Sequence, residues 1–298
     1  MRSRRSCLSV PGSSAKMLAK ARGLGADEAI LDLEDAVAAG QKDEARVATA
    51  AALADGGWGP DGAAVRINGV DTPHCLCDVV DLVRDAGEAL TCLVIPKAES
   101  AFDVAFVARL LDMAEAGAGR AEPVRLQALI ETAAGLRRIH EIAHASPRLD
   151  ALILGYADLS ASLGRAAQAP YPGDRWHWAR ETLLVAARDA GLQAIDGPWL
   201  QIEDADGMRE SAAQVRALGY DGKWAIHPSQ VDPINAVFTP SQAEFDRATA
   251  ELAALAEAER AGRGAVAHGG AMLDEATRKL AADIVARGAA AGLRASPA

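Results

Sequence analysis

The sequence is short of aromatics, of cysteines and of positive charge, and each shortage removes a class of function. Phe, Trp and Tyr make up 4% of the 298 residues. A core with so few rings and so much Ala suits helices packed closely on a sheet. Lys and Arg number 31 against 41 Asp and Glu, a net charge of −10. A nucleic-acid partner would need a clustered basic face, and none is seen. A polyanionic ligand would need a local basic patch, which Arg2, Arg4 and Arg5 could supply. No run reaches the roughly 18 apolar residues of a membrane-spanning helix. The basic start is not followed by a long apolar segment, because Pro11-Gly12 interrupts it, so a signal peptide is not expected. Cys7 and Cys92 lie in apolar runs, and Cys75-x-Cys77 has no partner at a zinc spacing. All four cysteines are read as reduced and the compartment as cytoplasmic.

Half the residues are apolar and 24% are charged, enough for a large core. Short apolar runs alternate with helical patterns. Candidate strands cover residues 7–10, 28–33, 63–67, 91–96, 125–130, 151–155, 192–195 and 223–226. Residues 16–23, 42–54 and 174–190 are examples of the helices between them. Strand–helix alternation implies parallel βαβ units, and eight such units close a (β/α)₈ TIM barrel. An open doubly wound sheet would want a Gly-rich phosphate turn after the first strand, and Val10-Pro11-Gly12-Ser13-Ser14 is not one. The barrel is assigned to residues 1–238 and a helical extension to 239–298. Ser241 is placed as the N-cap of a helix to about Arg260. After glycines 262, 264, 269 and 270, a last helix runs from about Asp274 to Arg287. This tail reads either as a lid or swapped oligomerisation element, or as a surface extension with no part in chemistry.

Barrel chemistry sits where strands end. Polar groups follow seven of the candidate strands: Asp32, Glu34 and Asp35; Arg66 and Asn68; Lys97 and Glu99; Glu131; Asp158; Asp196; His227. Charge so concentrated is costly unless paired or metal-bound. Glu131 and Asp158 end adjacent strands, so both can face one ion. Two carboxylates with waters and substrate oxygens suit Mg²⁺, with Mn²⁺ as a substitute. The ion would chelate a 2-keto or 2-hydroxy acid and stabilise an enolate. The competing reading pairs each carboxylate with a nearby Arg or Lys. Arg66 is the natural clamp for a substrate carboxylate; an ion pair with Glu34 or Asp35 is compatible with that role. Lys97 could form a Schiff base, but that leaves Glu131 and Asp158 without a task, so an orienting charge is preferred. For His227, shaping the loop is preferred to acid–base work. Tyr156, Tyr171, Trp176 and Trp178 could line a pocket, although helix packing explains the tryptophans as well.

These motifs together resemble the citrate-lyase β-subunit-like family within the HpcH/HpaI aldolase superfamily, which includes malyl-CoA, citramalyl-CoA and related 3-hydroxyacyl-CoA lyases. The resemblance runs from about Arg5 to Ala286. It is carried by Arg5-Ser6-Cys7-Leu8-Ser9-Val10-Pro11-Gly12, Asp32-Leu33-Glu34-Asp35 with Lys42 and Arg46, Arg66-Ile67-Asn68, Pro96-Lys97-Ala98-Glu99, Ile130-Glu131-Thr132, Gly155-Tyr156-Ala157-Asp158-Leu159 and Trp224-Ala225-Ile226-His227-Pro228. It implies a TIM barrel, Mg²⁺ on Glu131 and Asp158, and substrate contacts from Arg66 and Glu131. It implies that Met272-Leu273-Asp274 closes over a neighbouring subunit, with Asp274 as acid/base and Glu34 or Asp35 as understudies. It places coenzyme A near Arg5, Lys16 and Arg22, and a homotrimer or hexamer as the assembly. Many relatives read Gly-Ala-Glu-Asp where this chain has Gly155-Tyr156-Ala157-Asp158, which leaves the substrate open. The expected activity is Mg²⁺-dependent cleavage or formation of a 3-hydroxyacyl-CoA from acyl-CoA and a 2-keto acid. The alternatives are a class II aldolase acting on free 2-keto acids and a citrate lyase β-type subunit that works only with an acyl-carrier partner.

Overall fold

The computed structural model describes residues 3–58, 62–165 and 174–296; Arg2 and Tyr171 lie outside the described residues. Eight parallel strands close into a barrel in chain order: β1 (Ser6–Pro11), β2 (Glu28–Asp32), β3 (Ala63–Arg66), β4 (Leu90–Ile95), β5 (Arg125–Ile130), β6 (Leu149–Leu154), β7 (Gln193–Asp196) and β8 (Gly222–Ala225). The eight expected strands are all present, each within two residues of its expected ends. Helices α1 (Ala15–Ala21), α2 (Lys42–Ala54), α3 (His74–Ala86), α4 (Ala101–Ala118), α5 (Ala133–Arg137), α6 (Ile139–Ala143), α7 (Tyr156–Ser162), α8 (His177–Asp189) and α9 (Ala205–Leu218) fill the crossovers. α10 (Val231–Phe238) follows β8. The strands are buried almost end to end, as parallel strands covered by helices must be.

Strand periodicity decides where the site lies. One buried cluster draws on all eight strands: Cys7, Ile30, Ala64, Cys92, Val94, Leu129, Ala151, Ile153, Ile195 and Trp224. Side chains from every strand can meet only on the barrel axis. Side chains alternate along a strand, so the next inward position lies two residues on. That step leads to Asp32, Arg66 and Glu131 at the C-terminal rim. The step in the other direction leads to Glu28, Gln127 and Gln193, which close the opposite end around Arg4. Arg4 donates to Glu28 at 3.0 Å, and Gln127 donates to Glu28 at 2.8 Å. Arg4 is therefore a buried plug, not part of a surface patch, because its charge is neutralised inside the barrel.

The chain divides into two compact units, the first ending at Asn235 and the second starting at Ala236. In the second unit, α11 (Gln242–Arg260) opens with the expected Ser241 cap, paired reciprocally with Glu244 in a capping box. The glycine-punctuated segment before the last helix holds an antiparallel hairpin, β9 (Val266–His268) and β10 (Ala271–Leu273). Its two-residue turn is Gly269-Gly270, with φ of 56° and 82°. Positive φ at both positions is the geometry tight hairpins favour and glycine permits. α12 (Glu275–Ala290) follows, capped by Asp274. Among the described residues no helix is long and apolar enough to cross a membrane, and Cys7, Cys75, Cys77 and Cys92 are all free.

Candidate active site

The C-terminal rim is built around Arg66. β2 and β3 pair with Asp32 beside Arg66. Arg66 Nε and Nη2 donate to the two oxygens of Asp32 at 2.7 and 2.6 Å, a bidentate clamp. Its third nitrogen, Nη1, lies 3.0 Å from Glu34 Oε2 and 3.6 Å from Asp35 Oδ2. The Glu34 contact is an ion pair without hydrogen-bond angles, so Oε2 is buried with no hydrogen bond. The guanidinium stacks 5.8 Å above the Trp224 ring. Burial opposes its charge, but Asp32 and Glu34 outweigh burial and hold it protonated. Two of its five N–H groups are hydrogen-bonded to Asp32, while Nη1 is ion-paired with Glu34 and Asp35. The loop carrying Glu34 is pinned by Lys42 Nζ, which donates to the Leu33 and Glu34 carbonyls at 2.8 and 2.6 Å.

Glu131 points inward from the residue after β5 and is 3% exposed. One oxygen accepts the Lys97 backbone N–H at 2.9 Å. Lys97 has φ of 46°, the one left-handed non-glycine backbone among the described residues. Such a conformation is costly and persists where its surroundings enforce it. The other Glu131 oxygen lies over Gly155. A Cβ there would come within 2.6 Å of both Glu131 Cβ and Oε2, so only glycine leaves room for this carboxylate. Burial pushes the Glu131 carboxyl up to about 8. The Lys97 N–H and Arg66 pull it down, while Glu34 and Asp158 push it up. Asp158 stands half-exposed in the first turn of α7. Lys97 Nζ donates to Glu34 Oε1 and lies 3.6 Å from Asp35 and 4.0 Å from Asp158. Burial alone would lower the lysine pKa, but Glu34 and Glu131 raise it overall, so the amine stays protonated. The ammonium is thus committed to ion pairs with the rim carboxylates, an arrangement compatible with the orienting charge expected from the sequence.

These residues fit a hard divalent cation. Among the described residues no cluster of three or more His, Cys, Asp or Glu is arranged to hold a metal, so an all-protein cage is not offered. A buried carboxylate in a space that only glycine leaves open, beside a half-exposed one, is a donor set for an ion that keeps its waters, as Mg²⁺ does.

Other sequence candidates fall elsewhere. Lys16 is exposed in the first turn of α1, just past the C-terminal end of β1. Arg5 and Arg22 are not brought to this rim. Arg5 precedes β1, and its guanidinium grips Asp27, which precedes β2, at 2.7 and 2.8 Å. Arg22 caps the far end of α1, where it donates to the Ala52 carbonyl and stacks on Trp58. Both lie at the N-terminal ends of the strands. Asp274 belongs to the second unit. It is exposed and accepts the Ala276 and Thr277 N–H groups at 3.0 and 3.1 Å. Thr277 N–H holds its carboxyl below the usual range. His227 Nδ1 accepts the Ser229 N–H at 3.2 Å, the loop-shaping role. Trp176 packs 5.0 Å from Tyr156, while Trp178 is exposed. Asp32 and Gly155 were named in the motifs without a role. The strand parity that placed Arg66 inward would have placed Asp32 beside it. A cavity of about 760 Å³ at the opposite barrel end is lined by Arg4, Arg125, His144 and Asp150. Its arginines are already paired with Glu28 and Asp150.

A parallel eight-stranded barrel that gathers an arginine and several carboxylates at its C-terminal rim has the architecture of a barrel enzyme. The chain belongs to the HpcH/HpaI aldolase/citrate lyase family, whose model matches residues 5–228. It is 41% identical over 290 residues to an L-malyl-CoA/beta-methylmalyl-CoA lyase of Cereibacter sphaeroides, covering 92% of this chain and 91% of that one. It is 39% identical over 262 residues to a (3S)-malyl-CoA thioesterase of the same species, covering 87% and 86%. A solved structure of the CitE protein of Mycobacterium tuberculosis, in complex with magnesium, acetoacetate and coenzyme A, superposes with a TM-score of 0.75. The identity is 34%, covering 95% of this chain and 97% of that one.

Proposed function

We propose that this chain is a Mg²⁺-dependent carbon–carbon lyase. It cleaves a 3-hydroxyacyl-CoA of the malyl-CoA type into an acyl-CoA and a 2-keto acid, or runs the condensation. The carrying observation is the buried Glu131, oriented by the Lys97 N–H and seated over Gly155, beside Asp158 and facing an arginine with donors to spare. Glu131 and Asp158 would hold the ion, which when bound supplies Lewis acidity to the keto-acid oxygens. Arg66 binds the carboxylate of the same half with N–H groups not bonded to Asp32, while Asp32 fixes its plane. A base takes the 3-hydroxyl proton. The C–O bond becomes a carbonyl, and the C2–C3 electron pair passes into the thioester as an enolate. Proton return to C2 gives the acyl-CoA. By family resemblance Asp274 is the acid/base, acting from another copy of the chain in a trimer or hexamer. Glu34, whose carboxyl is raised by burial against the pull of Arg66 and Lys97, is the candidate inside the rim, with Asp35 beside it. Lys16 is the remaining candidate for a CoA phosphate contact. The setting is cytoplasmic and the partners are small molecules.

The purified chain, mixed with Mg²⁺ and malyl-CoA or citramalyl-CoA, should release a 2-keto acid and an acyl-CoA, read by mass. A folded chain that cleaves no such thioester, with or without an acyl-carrier protein, overturns the reading. The similarity to a malyl-CoA thioesterase favours a second activity, hydrolysis to a free hydroxy acid and CoA. Free CoA thiol appearing without keto acid would identify it. Turnover of free hydroxy-keto acids without CoA would point to the class II aldolase alternative.

A further inference from the structure

Asp32, Glu34, Asp35 and Asp158 at this rim lie within 4.0 Å of a cation, and among the described residues those cations are Arg66 and Lys97. The two cations are used differently. Arg66 is locked to Asp32 by two short hydrogen bonds and is 9% exposed. Lys97 reaches outward across the rim. Its ammonium donates to Glu34 and lies within 4.0 Å of Asp158. Its backbone N–H meanwhile donates to Glu131. One residue therefore touches both candidate ligands of the ion through two different groups. The N–H is a fixed dipole that orients Glu131. The ammonium is a full positive charge beside the place a divalent cation would occupy.

We infer that the Lys97 ammonium is an internal competitor of the divalent cation, an inference that rests on the metal-site reading above. In the metal-free protein it neutralises Glu34, Asp35 and Asp158. A cation held by Glu131 and Asp158 would claim the charge of Asp158, so the ammonium would lose that attraction and meet repulsion from the ion. Lys97 then sets a weaker affinity than the carboxylates would alone, while its N–H keeps Glu131 in place. If Lys97 were only a brace that holds Asp158, removing its charge would weaken binding. The two roles predict shifts of opposite sign.

The test is Mn²⁺ titration of the full-length chain, with free Mn²⁺ read by electron paramagnetic resonance, for the wild type, Lys97→Met, Lys97→Gln, Lys97→Arg and Glu131→Gln. Lys97→Met and Lys97→Gln keep the backbone N–H and should bind Mn²⁺ about tenfold more tightly, the scale of one screened unit charge. Lys97→Arg keeps the charge and should stay near the wild type. Unchanged or weaker binding in whichever neutral variant retains the wild-type melting temperature overturns the inference. A wild-type chain that binds no more Mn²⁺ than Glu131→Gln is a separate result. It sinks the metal-site reading itself.

Discussion

Gly155→Ala isolates the seat of Glu131 with a single methyl group. Gly155 has φ of −103°, so alanine meets no backbone strain there. The cost is steric alone. An added Cβ would sit 2.6 Å from Glu131 Cβ and 2.6 Å from its Oε2. Ordinary contacts begin near 3.4 Å, so Glu131 must retreat by about 0.8 Å (3.4 − 2.6). Rotation of the glutamate side chain can relieve the Oε2 contact but not the Cβ contact. The strand end must move, and the Lys97 N–H bond lengthens with it. Overpacking of this size costs about 1–3 kcal/mol, which for a chain this long lowers the melting temperature by several degrees. A metal ligand displaced by nearly 1 Å should lose about 10–100-fold in Mn²⁺ affinity and on the order of 100-fold in turnover. Thermal unfolding, Mn²⁺ titration and malyl-CoA cleavage measured on one preparation decide the matter. Gly155→Ala with wild-type Mn²⁺ affinity and turnover would refute the placement of Glu131. A melting-temperature loss without an affinity loss would make Gly155 a packing residue only.

Glu131→Gln should abolish measurable Mn²⁺ binding. In metal-free protein it should also raise stability at alkaline pH by about 2–4 kcal/mol. The folded carboxyl sits near 8 rather than 4.5, so stability is lost as pH rises through that window, and glutamine removes the loss. Equal melting of variant and wild type at pH 9, with a normal result at pH 5, would contradict that sign. Arg66→Lys cannot keep the bidentate grip on Asp32 and should lower kcat/KM about 100-fold, mostly through KM. An unchanged KM would move the substrate carboxylate elsewhere. Asp274→Asn keeps a good helix cap, so folding should be retained while turnover falls at least tenfold. Full turnover in this variant would hand the acid/base role to Glu34.

Much of this molecule can be read along the chain, because the relevant physics is local. Strand runs separated by helical spacing report eight βα units. Ser241 and Asp274 announce two helix starts within a few residues of the groups they cap. The polar residues at the ends of seven strands mark the rim, and their order carries the family. Parity carries Arg66 and Glu131 to the interior only once the buried cluster fixes which positions face the axis. Closure of the barrel decided the rest, because it brings together groups far apart in sequence. Asp32 and Arg66 are 34 residues apart and meet only through the β2–β3 register. Lys97 and Glu131 are also 34 apart, and their bond depends on a left-handed turn that no propensity assigns to lysine. Arg5 stands next to a rim motif in sequence but at the opposite end of the barrel in space, because β1 lies between them. Glu131 itself shows the division. Its position after a strand places it at the rim, but its inward direction, its depth, its Gly155 seat and its raised carboxyl exist only once the barrel closes and β5 and β6 are side by side.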